Sequence, residues 1–369
     1  MSQMLIRPEF YVAEMNKALI GILLLALVVI VGAIALTYRG NPGKVTLTES
    51  GSTLLYPLFN EWAANYTAAK ITTQATGSGT GISEAISGTV VIGASDAFMT
   101  NPQVESNPDM LNIPIAISSQ YVAYNLPGMN NTHLVLSGPV IAAIYNASIH
   151  YWNDPAIEAL NPGVQLPHQM IVPVFRSDGS GDTNMFTLFL SRSDPWWNHT
   201  VGYGTNVNWP KNPALHGAVG NSGIISFMAE TPYSIGYVAM TYTVQMKQAG
   251  LGYAALINRA GNAVLPSMVT VMNAAQQYLN QIPADGRIAI AFAPGADSYP
   301  IATFEYVIVK KVQPSSAVAV AVKKFLTWAV SPNGGSSEYY MGKLDLIPLP
   351  QSVVSKVVLP LIDQISGPP

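Results

Sequence analysis

The sequence predicts an α/β protein with two lobes, preceded by one hydrophobic N-terminal segment. Stretches with the composition of strands alternate with stretches of helical spacing along the chain, which is the pattern of α/β layering. The chain has 369 residues, a length that fits two lobes with separate cores better than one compact domain. Hydrophobic residues make up 49% of it, so apolar material for two cores is available.

The N-terminal segment is an unbroken apolar stretch over residues 18–36, close to the ~20 residues that cross a bilayer. It is longer than the apolar core of about 7–15 residues in a signal peptide. We therefore predict a transmembrane anchor or signal segment over residues 18–37, after an N-terminal tail over residues 1–17. A retained anchor is favoured, but Ala33 and Ala35 also match a cleavage pattern, so removal of the segment stays open.

The orientation of this segment follows from glycosylation sequons rather than from charge. Two basic residues precede the segment and two follow it, so the positive-inside rule gives no answer. The rest of the chain contains four Asn-x-Ser/Thr sequons, which indicate a translocated body. These sequons begin at Asn65, Asn130, Asn146 and Asn198. We predict a single-pass protein of the cell membrane with its body on the extracytoplasmic side.

The body after residue 44 carries the alternating elements. Short apolar or alternating runs predict strands over residues 45–48, 90–93, 113–124, 172–175 and 302–310. Apolar residues three and four positions apart predict helices over residues 54–69, 184–190 and 317–330. No internal repeat or long low-complexity linker interrupts this series.

Charge and residue types exclude several classes of function. Charged residues make up only 10% of the chain and the net charge is −3, without the Lys and Arg clusters that a nucleic-acid surface needs. The absence of cysteine excludes disulfides, thiol catalysis and Cys-based metal sites. The five histidines show no metal-ligand spacing. We therefore predict no nucleic-acid partner, no metal and no cofactor.

Three turns rich in Ser, Thr and Gly each follow a predicted strand and open a predicted helix. They cover residues 49–54, 77–82 and 176–183. The first N–H groups of a helix lack intrahelical partners and the helix dipole adds partial positive charge, so such a turn can bind an anion. Each turn alone would be explained as helix capping. Three together, one of them carrying Arg176, favour a shared anion site.

Enzyme motifs are missing from these turns and from the rest of the chain. The Gly-rich turn over residues 77–82 lacks the lysine of a P-loop, and no Gly-x-Gly-x-x-Gly occurs. No Gly-x-Ser-x-Gly elbow is present, and no histidine stands in a recognisable triad. We predict a binding protein rather than an enzyme.

Eight segments in order along the chain make the prediction more specific. They read SGSTLLYPLFNEW (50–62), TGSGTGI (76–82), IGASDAFMT (92–100), YNLPG (124–128), YWNDPAIEALNPGVQLP (151–167), FRSDGSGDTNMF (175–186), VGNSGI (219–224) and SIGYV (234–238). Together they resemble the phosphate-binding protein of the high-affinity phosphate ABC importer, over nearly the whole chain after residue 44. IGASDA and RSDGSGDT are distinctive even singly.

The resemblance implies a type II periplasmic-binding-protein fold, in which a hinge joins two α/β lobes and the anion lies between them. On this fold we predict one lobe over residues 44–118 plus 300–369 and the other over residues 119–299. The implied function is the binding of inorganic phosphate outside the cell and its delivery, by a monomer, to the permease subunits of an ABC transporter.

The resemblance also implies the residues that surround the anion. They are Ser52, Thr53, Leu54, Ser78, Asp96, Arg176, Ser180, Gly181 and Asp182. Hydroxyls and turn N–H groups would donate to the anion, Arg176 would supply a fork-shaped positive charge, and Asp96 would accept a proton carried by phosphate. Asp182 stands where some relatives have threonine. Whether it contacts the ligand or braces Arg176 stays open, and a salt bridge to Asp178 or Asp182 is also the simplest alternative role for Arg176.

Three alternatives to phosphate transport remain at this stage. The same fold could bind sulfate, molybdate or tungstate, although Asp96 argues against anions that carry no proton at neutral pH. An enzyme acting on phosphate esters would need a nucleophile with a base, or a metal cluster. A surface-layer or adhesion protein would retain the binding residues without using them.

Overall fold

The computed structural model describes residues 44–369. The tail predicted over residues 1–17 and the hydrophobic segment predicted over residues 18–37 lie outside the described residues. Between residues 44 and 369, none of the helices combines the length and apolar character that crossing a bilayer requires.

The described chain alternates strands and helices, as the sequence predicts. The strands are β1 (Thr46–Gly51), β2 (Lys70–Thr72), β3 (Ile92–Ser95), β4 (Met110–Tyr124), β5 (Val135–Leu136), β6 (Val172–Arg176), β7 (His216–Ala218), β8 (Ser234–Ala239), β9 (Gly252–Tyr253), β10 (Ala255–Ile257), β11 (Ala263–Val264) and β12 (Ala302–Lys310).

Most helices follow a strand and return the chain towards the next one. They are α1 (Tyr56–Asn65), α2 (Ser78–Ser87), α3 (Asn101–Ser106), α4 (Gly138–Tyr145), α5 (Pro155–Glu158), α6 (Gly181–Ser193), α7 (Pro195–Thr200), α8 (Gly220–Glu230), α9 (Thr243–Gln248), α10 (Met268–Gln276), α11 (Ser316–Ala329), α12 (Glu338–Met341), α13 (Gln351–Val353) and α14 (Leu359–Asp363). A π-helical stretch, Val354–Val358, joins the last two.

The main sheet has the strand order β2-β1-β3-β12-β4-β8-β6-β7, with β9 added to β4. The long strand β4 changes partner along its length: Ser119 pairs with Ala302 of β12, whereas Gln120 pairs with Ala239 of β8. The sheet therefore has two halves, which β4 connects. A separate three-stranded sheet has the order β11-β10-β5.

Helices cover both halves of the sheet, which explains why the central strands are buried along nearly their whole length. Every residue of β4 is buried, and β12 is buried except at Lys310. Strands covered on both faces carry continuous rather than alternating hydrophobicity. Helices α2 and α11 pack on the half that contains β1, and α6 and α8 pack on the half that contains β8. The result is a mixed α/β body with two parts, as predicted.

The predicted elements agree with the observed ones best where the hydrophobic pattern is long. The strand predicted over residues 302–310 has the bounds of β12, and the helix predicted over 317–330 corresponds to α11. The helix predicted over 54–69 is wrong at both ends. It begins at Tyr56, directly before Pro57, because proline is favoured in the first helical turn. It ends at Asn65, since the following residues lead into β2.

Candidate anion-binding site

Two of the three Ser/Thr/Gly-rich turns open a helix as predicted. Helix α2 begins at Ser78 after Gly77, whose φ of 91° suits glycine. Helix α6 begins at Gly181 after Ser180, and the Ser180 Oγ accepts a hydrogen bond from the Thr183 N–H at 3.2 Å. Ser180 is therefore a helix cap, as its simplest interpretation requires.

The first turn differs from the prediction, because Thr53 and Leu54 lie before α1 rather than within it. The chain bends at Ser52, whose carbonyl oxygen accepts from the Tyr56 N–H at 3.0 Å. The Ser52 Oγ accepts from the Leu55 N–H at 3.0 Å. These bonds form a tight turn that directly follows the end of β1.

The sheet brings the turns together at the carboxyl ends of parallel strands. Strands β1 and β3 are parallel, with Gly51 opposite Ala94, so Ser52 and Asp96 follow neighbouring strand ends. The Ser52 N–H donates to the Ala94 carbonyl oxygen at 2.9 Å. In open α/β sheets, ligands bind outside these carboxyl ends.

All nine predicted site residues are buried. Eight of them are at most 6% exposed, and Gly181 is buried as well. The alternative that Asp96 is a surface turn residue is wrong, because its side chain is 1% exposed.

Asp96 is the centre of the first group of polar residues. The Ser52 Oγ donates to the Asp96 carboxylate, and the Asp96 N–H donates to the Ser78 Oγ at 3.1 Å. The Asp96 carbonyl oxygen accepts from the Thr303 hydroxyl at 3.3 Å. Burial raises the pKa of Asp96, although the hydrogen bond from Ser52 and the charge of Arg176 oppose that rise.

Arg176 is the centre of the second group, and both predicted salt-bridge partners bind it. Its Nε donates to Asp178 Oδ1 at 2.7 Å, and its Nη2 donates to the other Asp178 oxygen. Its Nη1 donates to Asp182 Oδ2 at 2.7 Å. Asp182 thus braces Arg176, which is one of the two roles that the sequence left open.

The two aspartates beside Arg176 differ in pKa. Burial raises the pKa of Asp178, but hydrogen bonds from Arg176 more than offset this and hold it below its ordinary value. Asp182 is fully buried and lies near the Asp96 carboxylate, and these two effects raise its pKa to about 7 despite Arg176. The site therefore contains several carboxyl groups close together, and those with a raised pKa take up protons before the others.

The polar group around Asp96 and the polar group around Arg176 lie in different halves of the sheet and are in contact. The Gly79 N–H donates to the Gly179 carbonyl oxygen at 2.9 Å. A side chain at Gly181 would collide with the Asp96 carboxylate and the Ser78 hydroxyl, so this close approach requires glycine. The structure therefore places the residues predicted for both lobes in one buried site.

Asn221 links the two groups and was absent from the predicted site. Its Nδ2 donates to Thr53 Oγ1 at 2.9 Å and to Asp182 Oδ2 at 2.7 Å. Its Oδ1 accepts from the Ala239 N–H at 2.8 Å, which fixes the amide orientation. The VGNSGI segment was a signal for this residue, but nothing in the sequence placed its amide between Thr53 and Asp182.

Glu305 was also missed, although its strand contained a signal. The TFEYVIVK stretch of β12 is apolar except for this glutamate and the residues at its ends, and a charge in a buried strand needs a reason. Glu305 is 0% exposed, and its carboxyl lies within hydrogen-bond reach of Asp96.

A cavity of about 200 Å³ opens beside the site, between the two halves. Asp96 and Thr303 line it from one half, and Met185 and Leu188 of α6 line it from the other.

Comparisons with known proteins agree with this geometry. The model of the PBP superfamily domain matches residues 37–333. Phosphate-binding protein PstS of Pasteurella multocida (strain Pm70) is 34% identical over 315 residues, which cover 85% of this chain and 88% of the relative. The relative of the same name from Methanocaldococcus jannaschii is 31% identical over 315 residues, which cover 79% and 80% of the two chains.

Solved structures share the fold at lower identity. The phosphate-bound periplasmic protein PfluDING superimposes with a TM-score of 0.69 at 17% identity, over 88% of this chain and all of that chain. A phosphate-binding protein from Stenotrophomonas maltophilia gives a TM-score of 0.66 at 17% identity, over 85% of this chain and 94% of that one.

The fold and the buried polar site define a two-domain solute-binding protein of the periplasmic-binding-protein type. The chain belongs, within that superfamily, to the family of phosphate-binding protein PstS. The resemblance inferred from the eight sequence segments is thereby confirmed. The prediction of a binding protein rather than an enzyme is confirmed as well, since the relatives that define the family are named phosphate-binding proteins.

Proposed function

We propose that this protein binds inorganic phosphate outside the cell and delivers it to the permease of an ABC transporter. Its relatives carry the name phosphate-binding protein, and neighbours in fold were solved with phosphate bound. The observation that carries the proposal is the buried Asp96 carboxylate, which stands in the same site as Arg176 and the N-terminus of α6.

The charges of this site favour an anion that carries a proton. Arg176 and the N-termini of α2 and α6 supply positive charge, but Asp178 and Asp182 already bind the Arg176 guanidinium. Asp96 adds a third carboxyl group. An unprotonated oxyanion would place bare oxygens against Asp96, whereas the hydroxyl of phosphate donates to it. This favours phosphate over sulfate, molybdate or tungstate.

The ligand in this proposal lies among the residues implied by the resemblance. Hydroxyls and N–H groups of two turns donate from the first half, and Arg176 and the N-terminus of α6 donate from the second. The residues are Ser52, Thr53, Leu54, Ser78, Asp96, Arg176, Ser180, Gly181 and Asp182. The burial of all nine in one site supports this assignment.

The proposed lobes comprise residues 44–118 plus 300–369 and residues 119–299. The change of partner on β4 between Ser119 and Gln120 supports this boundary, because strand pairing switches there from one half of the sheet to the other. Strand β4 and the start of β12 would form the hinge. Hinge closure around the ligand is a common response of such a two-lobed body.

Phosphate should shorten the distance between the two lobes. The chain contains no cysteine, so two introduced thiols would be the only sites for spin labels. Labels at the exposed positions Ser87 and Lys211, each replaced by cysteine, lie in opposite proposed lobes. Pulsed electron paramagnetic resonance on the full-length protein in detergent should show a shorter separation with phosphate and no change with equimolar sulfate.

A second label pair provides the control for this experiment. Ser87 and Val320 lie in the same proposed lobe, and the separation of labels there should not respond to either anion. Calorimetric titration of the same samples separates the two parts of the proposal. Heat of binding without a distance change would refute lobe closure alone, whereas no heat with phosphate would refute the proposed function.

We propose further that the protein is a monomer, that residues 18–37 tether it to the membrane, and that its body lies outside the cell. The apolar length of that segment and the four sequons support the tether. After cell fractionation, the full-length protein should sediment with membranes and be cut by protease added outside. A chain lacking residues 1–43 should not sediment. A full-length protein found soluble inside the cell would contradict the tether.

A further inference from the structure

Glu305 is a buried carboxyl group that the proposed binding residues do not include. It lies near the middle of β12 and is 0% exposed. Neither of its carboxylate oxygens accepts a hydrogen bond from any donor among residues 44–369. Burying an ionised carboxylate without a donor is costly, and such a group takes up a proton instead.

The neighbours of Glu305 are other acids rather than bases. Strands β3 and β12 are antiparallel with Tyr306 opposite Ser95, so Glu305 comes next to Asp96, the residue that follows β3. The carboxyl groups of Glu305 and Asp96 lie within hydrogen-bond reach, and Asp182 of α6 adds a further negative charge. Tyr306 adjoins Glu305 on β12, and Arg176 acts on Asp96 from the other half.

These contacts determine where a proton lies. Burial, and then the charges of Asp96 and Asp182, raise the pKa of Glu305 well above its ordinary value. A protonated Glu305 becomes a donor, and the Asp96 carboxylate is the acceptor beside it. Asp96 then accepts from both Glu305 and Ser52 and keeps its negative charge in a fixed orientation.

We propose that Glu305 is a positioning residue of the anion site, whose neutral carboxyl group donates to Asp96 and holds it as the acceptor for a protonated oxyanion. Two ionised carboxylates would repel the ligand. Two protonated ones would leave only neutral carbonyl oxygens, which are weaker acceptors than a carboxylate, for the proton of the ligand. A single proton shared by Glu305 and Asp96 avoids both of these outcomes. The identity of the ligand in this inference rests on the proposed function. The protonation of Glu305 does not depend on it.

The first test needs no ligand. Infrared spectra of the full-length protein at neutral pH should contain a protonated-carboxyl band that loses one component in Glu305→Gln. Because the folded protein retains a proton that the unfolded chain releases above about pH 4.3, wild-type stability should fall as pH rises above that value. Glu305→Gln should therefore raise the melting temperature more at pH 8 than at pH 4. An unchanged band, or a gain independent of pH, would overturn the protonation.

The second test measures phosphate and sulfate affinity in three variants. Glu305→Gln retains a donor to Asp96 and should bind phosphate within about threefold of wild type at neutral pH. Glu305→Leu removes the donor and should weaken phosphate binding by roughly ten- to a hundredfold. In Glu305→Leu, the ratio of phosphate affinity to sulfate affinity should also be smaller than in wild type. Glu49→Gln is the matched control, because Glu49 is another buried carboxyl group with a raised pKa and lies near the Gln74 backbone and Glu84 rather than near Asp96.

The pH profile distinguishes positioning from simple packing. As pH rises through the raised pKa of Glu305, the phosphate affinity of wild type should fall. The Glu305→Gln variant keeps its donor at every pH, so the ratio of its affinity to that of wild type should rise. A ratio that stays constant, together with wild-type selectivity in Glu305→Leu, would overturn the inference. Should wild type bind no phosphate, the proposed function fails, and the infrared band still decides the protonation.

Discussion

Arg176→Ala is expected to weaken phosphate binding by roughly 2–5 kcal/mol, or about thirtyfold and more. The Arg176 side chain is 1% exposed, so water cannot replace the lost positive charge. The helix N-termini that remain carry only about half a charge each and cannot compensate an anion with two negative charges. Isothermal titration of phosphate into wild type and the variant measures the difference directly.

In Arg176→Ala, two carboxyl groups also lose the arginine that pairs with them, so the experiment must check that the variant still folds. Asp178 keeps a hydrogen bond from the Gly220 N–H at 3.1 Å, and Asp182 keeps one from Asn221 at 2.7 Å. Asp182 already has a pKa of about 7, so it can take up a proton when Arg176 is removed. We therefore expect a lower melting temperature but a folded protein, which thermal denaturation checks.

An arginine outside the proposed site provides the matched control for Arg176→Ala. Arg287 also pairs with an aspartate two positions away, Asp285, at 2.8 Å, but that aspartate is 48% exposed. Exposed pairs contribute at most about 1 kcal/mol. Arg287→Ala should therefore leave phosphate affinity unchanged, and near-wild-type affinity in Arg176→Ala would remove Arg176 from the site.

Much of the fold could be predicted because its elements carry local patterns. The apolar residues of α1 include Phe59 and Trp62, which lie at helical spacing and pack edge-to-face at 5.1 Å in the core. Strand β12 is largely apolar at successive positions, apart from Thr303, Glu305 and Lys310, as burial on both faces favours. The anion site was predictable in outline, because Ser, Thr and Gly at strand-to-helix turns have a local physical role.

The contacts between distant segments could not be predicted in the same way. Asn221 meets Thr53 across 168 positions of the chain, and an asparagine alone does not indicate its partner. Glu305 reaches Asp96 only because β12 inserts beside β3, a pairing that local periodicity does not specify. The start of α1 was also missed. The Ser52 carbonyl oxygen accepts from the Tyr56 N–H in one helical turn, but Pro57 has no N–H to continue it, so the regular helix begins at Tyr56.

Asp96→Asn is expected to reduce the preference for phosphate over sulfate far more than it reduces phosphate affinity. Near neutral pH phosphate keeps at least one proton, which the Asp96 carboxylate accepts, whereas sulfate brings a bare oxygen. Such repulsion in a buried polar site can reject an analogue by about 10⁴-fold. The asparagine amide can donate to either anion, so most of this discrimination should disappear in the variant.

Titration of both anions into wild type, Asp96→Asn and Asp178→Asn tests this selectivity. Asp178 is the matched control, because its carboxylate faces Arg176 and its replacement should change both affinities alike.

Acidification provides a second measurement. Burial raises the pKa of Asp96, so as pH falls through it the protonated group can donate as asparagine does, and wild-type sulfate affinity should rise. Asp96→Asn has no carboxyl group to titrate there and should lack that rise. An equal phosphate-to-sulfate ratio in wild type and Asp96→Asn would show that Asp96 does not select the anion.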